Sequence, residues 1–350
     1  MRLFEHPLYR ASLERVLDDV NLDFLKGASV LVTGATGMVG SCLIDVLALW
    51  NATHDHSCRL IALSRGEDTA KERFSHLWTE STFSFIPQDV SLPIKEMGEV
   101  TYILHGASNA DPVQLALHPA NTLFSNIFGT KNLLDYGLLH GMKRFLLVSS
   151  GEVYGHPFSL ESGFPEDYCG PLDLGSPRTC YPEGKRAAEV LCQSYRQEYD
   201  ADIVIARPCH LFGPTMTNRD SRAVSEFLRD AAAGRPITIK STGQLERSHC
   251  YIVDAIQALL MILQLGESGH AYNIAVPECQ ATILHFAETA AEIAGSSVIM
   301  TAPTPIETRG YSSVRRMVLD CRKLENLGWK SHYALKDGVQ ETIQILSELR

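Results

Sequence analysis

The stretch Ser29–Thr33 (SVLVT) runs directly into GATGMVGSCLIDVLALW. A short, β-branched apolar run of this kind reads as a buried parallel strand. Gly34, Gly37 and Gly40 then fall on the turn into an amphipathic helix, with Thr36, Met38 and Val39 between them. The first glycine permits the tight turn, the second lets a pyrophosphate approach the backbone, and the third lets helix and strand pack closely. Phosphates held there face the unpaired N–H groups at the helix N-terminus. The triplet alone is common; between this strand and this helix it points to a dinucleotide site.

Further strands follow at Arg59–Leu63, Phe83–Ile86, Thr101–Leu104, Phe145–Val148 and Ile203–Ala206. Helical stretches separate several of them, notably residues 118–141 (stopped by Gly141) and Tyr181–Tyr199. This βαβα alternation predicts a doubly wound parallel sheet. The second strand ends in Ser64-Arg65, where an acid would hold the ribose hydroxyls of NAD and an arginine would accept a 2′-phosphate. NAD is the expected cofactor, with NADP left open by Arg65. Asp89 and Val90 are placed to touch the adenine. Gly106, Ala107 and Ser108 are small enough for a cofactor to lie against the backbone. His105 is included as a neighbour of the cofactor, but as a packed histidine rather than a catalytic one. Asn126, Ser149 and Pro208 complete the expected cofactor contacts.

The fifth strand delivers Ser149, Ser150 and Glu152 at its carboxyl end, where open parallel sheets bind ligands. Tyr181 and Lys185 are four residues apart and share one face of a helix. A phenol ionises near pH ~10, too high for a neutral-pH base, and a neighbouring ammonium is expected to lower that value. With Ser150 on the same hydroxyl, Tyr181 and Lys185 form a device for taking a proton from an alcohol. A nicotinamide alongside would oxidise the carbon that carries it.

After RPCHLFGPT the rhythm breaks. Helices are predicted at Ser221–Ala233, Tyr251–Leu265, Thr282–Ala294 and Leu335–Leu349, with strands at Ile237–Lys240 and 271–275. Residues 1–27 read as a helical packing arm without chemistry. Residues 28–206 form the dinucleotide-binding domain with later segments interleaved, and 207–350 mainly a smaller substrate lobe. The formal net charge of -10, with no basic run, argues against a nucleic-acid partner. No stretch approaches the ~20 apolar residues of a membrane span, and the charged N-terminus lacks a signal-peptide core. The 9 cysteines form no CxxC pair, and the neighbours Cys209 and His210 have no second pair to complete a zinc site. A cytoplasmic protein with reduced thiols and no metal is expected.

TGATGMVG, HGAS, SSGEVYG, YPEGK and RPCHLFGP occur in one order. Together they resemble the extended short-chain dehydrogenase/reductase family of nucleotide-sugar enzymes over roughly residues 28–349. CYPEGKRAAEVLC, DSRAVSEF, ERSHCYIVDA and LGW are most similar to the UDP-glucuronate decarboxylases within it. The resemblance implies an α/β fold, a Rossmann-type doubly wound sheet with a C-terminal α/β substrate lobe. It implies an NAD-dependent enzyme acting on a nucleotide-diphosphate sugar through a 4-keto intermediate, and a homodimer formed by the helices near 118–140 and 181–199. Ser150, Glu152, Tyr181 and Lys185 take the catalytic places. Arg222 and Arg247 take those that hold the diphosphate, and Ser108, Glu152, His210 and Arg316 are the further substrate contacts. The same machinery serves a 4-epimerase, a 4,6-dehydratase or an NADPH-dependent 4-ketosugar reductase, and a remoter alternative is a non-catalytic dinucleotide-binding regulator. Three residues depart from the pattern. Gly151 stands where dehydratases carry a proton-donating aspartate, His210 where the family has asparagine, and Thr215 where decarboxylases have arginine.

Overall fold

The computed structural model describes residues 2–54, 57–157 and 163–349. Six strands follow in chain order: β1 (Ser29–Thr33), β2 (Arg59–Ser64), β3 (Phe83–Pro87), β4 (Tyr102–His105), β5 (Arg144–Val148) and β6 (Ile203–Pro208). Then come β7 (His210–Phe212), β8 (Ile237–Ile239), β9 (Glu246–Tyr251), β10 (Ala271–Ile274), β11 (Val276–Thr282), β12 (Val298–Met300) and β13 (Arg316–Met317). The main sheet has the order β10-β6-β5-β4-β1-β2-β3, and every pairing in it is parallel.

Successive residues of a strand face opposite sides, and here both sides are apolar. Val30, Val32, Leu60, Ala62, Leu146 and Val204 pack with the helices Met38–Thr53 and Ile252–Leu265. Leu31, Ile61, Ile103, Phe145, Leu147 and Ile203 pack beneath Leu133 and Leu134 of the helix Pro119–Leu139 and Ala188 and Cys192 of the helix Cys180–Tyr199. Continuous apolar strands are what burial on two faces demands.

The expected strands and helices recur within a residue or two, and the main differences lie after residue 206. The strand 271–274 returns to the main sheet and pairs with β6. ERSHCY is a strand, with β7, β11 and β13 against it in a second, four-stranded sheet. Its residues are nearly all buried, so it lacks the alternation that marks a half-exposed strand. Residues 1–27 hold the helix Pro7–Asp19, pinned where Tyr9 OH donates to the buried Asp45 Oδ2 at 2.8 Å. Arg73 pairs with the same carboxylate.

A second buried acid, Asp254, joins the C-terminal segment to the core by accepting from the backbone N–H of His332 and Tyr333 at 3.0 and 3.1 Å. Burial is the larger effect and pushes its carboxyl up to about 6. A group raised above its unfolded value stabilises the fold when protonated, and that contribution fades as pH rises through the folded value. Relative to Asp254→Asn, the protein should therefore gain on the order of 1 kcal/mol between pH 7 and pH 5. Urea unfolding of both forms at the two pH values checks it; a constant difference between them contradicts the assignment.

Candidate active site

Strand register brings the chemistry to one edge. Thr33 lies opposite Leu63 and His105, His105 opposite Leu147, and Val148 opposite Ala206, so the carboxyl ends are level. Gly34 adopts φ 69°, and a Cβ on it would lie 2.9 Å from the Gly106–Ala107 backbone. A Cβ on Gly40 would lie 2.4 Å from Gly34 O. Gly37 precedes the helix Met38–Thr53 without a side-chain cap, so the first-turn N–H groups, Val39 among them, stay open to an anion.

Around this turn, Thr36 Oγ1 donates to Ser64 Oγ at 3.2 Å, and Arg65 is exposed beyond it. Asp89 Oδ1 accepts from Ser91 N and Oγ, and Val90 is buried beside Gly129. Ala107 N donates to Thr33 Oγ1, which pairs with His105 Nδ1 at 2.7 Å. Burial and then Lys185 push His105 down to about 3, which favours a neutral ring in this packed position. Asn126 donates to Thr122 O and packs on Gly184, and Pro208 closes β6. Ser108 Oγ is buried and has no partner among the described residues. A bare backbone floor and an orphaned hydroxyl above it suit a dinucleotide.

Ser150 lies two residues beyond β5 and caps the turn Gly151–Tyr154, accepting from Glu152 N at 3.1 Å. Tyr181 opens the helix Cys180–Tyr199 and is buried, with Ser150 near enough to act on its phenol. Lys185 Nζ, 3% exposed, donates to Val148 O at 2.7 Å. The electrostatics differ from the sequence expectation. Burial pushes the Tyr181 phenol up to about 12 and Glu152 adds to this, while Ser150, Arg178 and Arg222 pull the other way. Lys185 is itself driven down to about 8 by burial. The cations facing the phenol are thus two arginines, not the lysine. Ser149 is turned aside, donating to Glu189, which is clamped by Arg207 at 3.0 and 2.6 Å.

Sequence reasoning missed Arg178. Its Nη2 lies 2.8 Å from Glu152 Oε1, and its Nε donates to Gly310 O at 2.8 Å. Three positions before Tyr181, an arginine one turn upstream on the helix approach was the available signal. Of the named substrate residues, Arg222 grips Asp220 through Nε and Nη2. Arg247, 2% exposed, donates to the carbonyls of Glu246, Val314 and Arg315 and is paired with no carboxylate among the described residues. Arg316 Nε holds Glu246 at 2.9 Å. His210 Nδ1 is buried without a partner among the described residues, and burial, Arg247, His249, Arg222 and Arg178 keep the ring neutral. At the other two departures, Thr215 Oγ1 donates to Met38 O at 3.0 Å, and any side chain at Gly151 would meet Leu319 at 3.1 Å. Tyr154 and Phe212 are fully buried core rings. No His, Cys, Asp or Glu cluster among the described residues could hold a metal, and all nine cysteines are free.

The Gly40 contact is the tightest part of the dinucleotide floor. Gly40→Ala must push the helix off the turn, an overpacking cost of ~1–3 kcal/mol. A melting temperature lower by roughly 2–10 °C and weaker dinucleotide binding are expected, read by thermal unfolding and titration. Unchanged binding would contradict the assigned floor.

The sequence profile of the NAD dependent epimerase/dehydratase family matches residues 30–275. UDP-glucuronic acid decarboxylase 5 of Arabidopsis thaliana is 32% identical over 312 residues, covering 89% of this chain and 86% of that protein. UDP-glucuronic acid decarboxylase 1 of Danio rerio is 32% identical over 320 residues, covering 91% and 72%. Among solved structures, UDP-glucuronic acid 4-epimerase from Bacillus cereus, in complex with UDP-glucuronic acid and NAD, superposes with a TM-score of 0.75 at 24% identity over 92% of this chain and 100% of that one. A glycine-floored sheet edge with serine, tyrosine and lysine converging on it, and this extent of likeness, agree: the chain belongs to the NAD-dependent epimerase/dehydratase family.

Proposed function

We propose that this enzyme decarboxylates UDP-glucuronate through a 4-keto intermediate. The observation that carries the reading is the convergence of buried Tyr181, Ser150 and Lys185 on the sheet edge, with the Glu152–Arg178 ion pair beside them. The glycine turn 34–40, Ser64, Arg65, Asp89, Val90, Gly106, Ala107, Ser108, Asn126, Lys185 and Pro208 would hold NAD. When bound, oxidised NAD supplies a reversible two-electron sink for C4 of the sugar and a positively charged ring.

Tyr181 takes the proton from O4 while Ser150 hydrogen-bonds the same oxygen. Lys185, fixed to Val148, holds the helix that carries Tyr181. With C4 a ketone, a carboxylate on C5 is a β-keto acid. Its C–C bond breaks, CO2 leaves, and the electron pair moves onto O4, where Tyr181 and Ser150 receive the charge. Glu152 orients the ring or passes a proton at C5. Reduction of C4 restores the cofactor. Arg222 and Arg247 hold the diphosphate, and Arg247 suits that task because its buried charge is bonded to no carboxylate among the described residues. Gly151 carries no acid to expel a hydroxyl, which disfavours 4,6-dehydration. A 4-epimerase uses the same residues and differs in the face from which C4 is reduced. Exposed Arg65 keeps an NADPH-dependent reductase in view.

A homodimer fits the paired helices Pro119–Leu139 and Cys180–Tyr199, where the tilted rings of Phe124 and Phe128 pack at 5.6 Å and stay about half exposed. A cytoplasmic enzyme is proposed; no helix among the described residues is long and apolar enough to cross a membrane.

Incubation with UDP-glucuronate and NAD should release CO2 and a UDP-pentose. A wild-type protein that yields neither overturns the decarboxylase reading. Tyr181→Phe should lower turnover by roughly 10²–10⁴ while cofactor affinity holds, read by rate and by NAD titration. Copurified NAD(H) supports the internal redox cycle, whereas preference for NADPH supports the reductase.

A further inference from the structure

We propose that Arg178 selects a carboxylate-bearing sugar, with Glu152 as its counter-ion until the substrate arrives. The inference rests on the UDP-sugar reading above and assigns a role to a residue that reading leaves open.

Arg178 stands on the single turn Pro177–Thr179 that leads into the helix of Tyr181. Its side chain is 14% exposed and that of Glu152 19%, so water weakens their 2.8 Å contact far less than it would at a surface. The guanidinium is only partly engaged. Nε goes to Gly310 O and Nη2 to Glu152, while Nη1 bonds to none of the described residues. Both partners line a cavity of about 570 Å³, with His156, Arg309, Tyr311 and Met317 also on its wall. That volume falls within the range of small-ligand pockets.

Sugar chemistry then decides what Arg178 can read. The base Tyr181 is electrostatically coupled to both Arg178 and Glu152. In a hexuronate the carboxyl carbon is bonded to C5, the neighbour of C4. A sugar with O4 on Tyr181 and Ser150 therefore carries its carboxylate beside the base. The diphosphate leaves from C1, across the ring from C4, so a cation next to the base meets the carboxylate before the phosphates. Arg309 shares the cavity wall and Arg222 also faces the phenol, but the cations around the base are differently engaged. Arg222 is neutralised through two nitrogens by Asp220, and Arg316 pairs with Glu246. Arg247 is held on three backbone carbonyls. Without Arg178, Glu152 would repel an acid sugar at this point. With it, the incoming carboxylate finds a fork already aimed by Gly310 and Glu152, the geometry for which arginine is suited. Glu152 competes for the same cation, so its charge tempers the affinity that Arg178 provides.

The test titrates NAD-loaded protein with UDP-glucuronate and with UDP-glucose, which lacks the carboxylate. Arg178→Ala should weaken UDP-glucuronate about 10- to 100-fold and leave UDP-glucose within about twofold, the loss of one charged hydrogen bond. Glu152→Gln should tighten UDP-glucuronate several-fold and leave UDP-glucose unchanged, an opposite sign that a merely structural pair would not give. This second variant keeps the shape of the site and decides the matter if Arg178→Ala does not fold. Equal losses for both sugars in Arg178→Ala, or no gain in Glu152→Gln, overturn the proposal. A wild-type protein that binds both sugars yet releases no CO2 overturns the decarboxylase reading and leaves this one standing. Binding of neither sugar removes both.

Discussion

One buried ammonium fixes the geometry on which the site depends. Lys185 Nζ reaches Val148 O from the helix Cys180–Tyr199 and ties that helix to the end of β5. Taking a lysine charge out of water is costly, as the fall of its pKa to about 8 records. The nearby Glu189 offsets part of that cost and is itself clamped by Arg207 of β6, whose Nη1 also donates to Tyr154 OH. Helix, β5 and β6 are thereby locked together, and Tyr181 and Ser150 meet as a result. A solvated lysine at 185 would leave the same residues in the sequence and no such lock.

Much of this was legible because it is local. Two-faced burial writes itself into SVLVT, RLIAL and FLLV as uninterrupted apolar runs, and the glycine turn is dictated by contacts under 3 Å that exclude a Cβ. Tyr181 and Lys185 are linked by one helical turn. What was not legible depends on partners distant in sequence. Glu152 and Arg178 are separated by 26 residues and a Gly/Pro-rich loop, and no periodicity joins them. ERSHCY becomes a strand only because β7 and β11 arrive on either side of it. The direction of the Tyr181 shift was misjudged for a related reason. An i, i+4 spacing shows that a lysine is near, but not that its ammonium is directed to Val148 O or that burial outweighs the arginines around the phenol.

The departures from the family pattern share a physical logic. Burial above all keeps His210 uncharged, and Arg247, Arg222 and Arg178 add to it, since a fourth positive group there would be repelled. Neutral imidazole offers one donor and one acceptor, as the amide of asparagine offers both kinds of atom. The exchange of one for the other at 210 therefore conserves hydrogen-bonding capacity while enlarging the ring against His249, 6.0 Å away. Thr215 is different, because its hydroxyl is used on Met38 O and brings no charge. The site thus does without an arginine at 215, and the cations that remain are divided in kind. Arg247 is buried and bonded to no carboxylate among the described residues, whereas Arg178 and Arg222 each sit on one. An anion meeting Arg247 gains from relieving an uncompensated charge, and one meeting Arg178 must compete with Glu152. Arg247, Arg178 and Glu152 act on one another, and the attraction that Glu152 contests is the one at Arg178, which lets the same pocket hold a nucleotide while testing what the sugar carries.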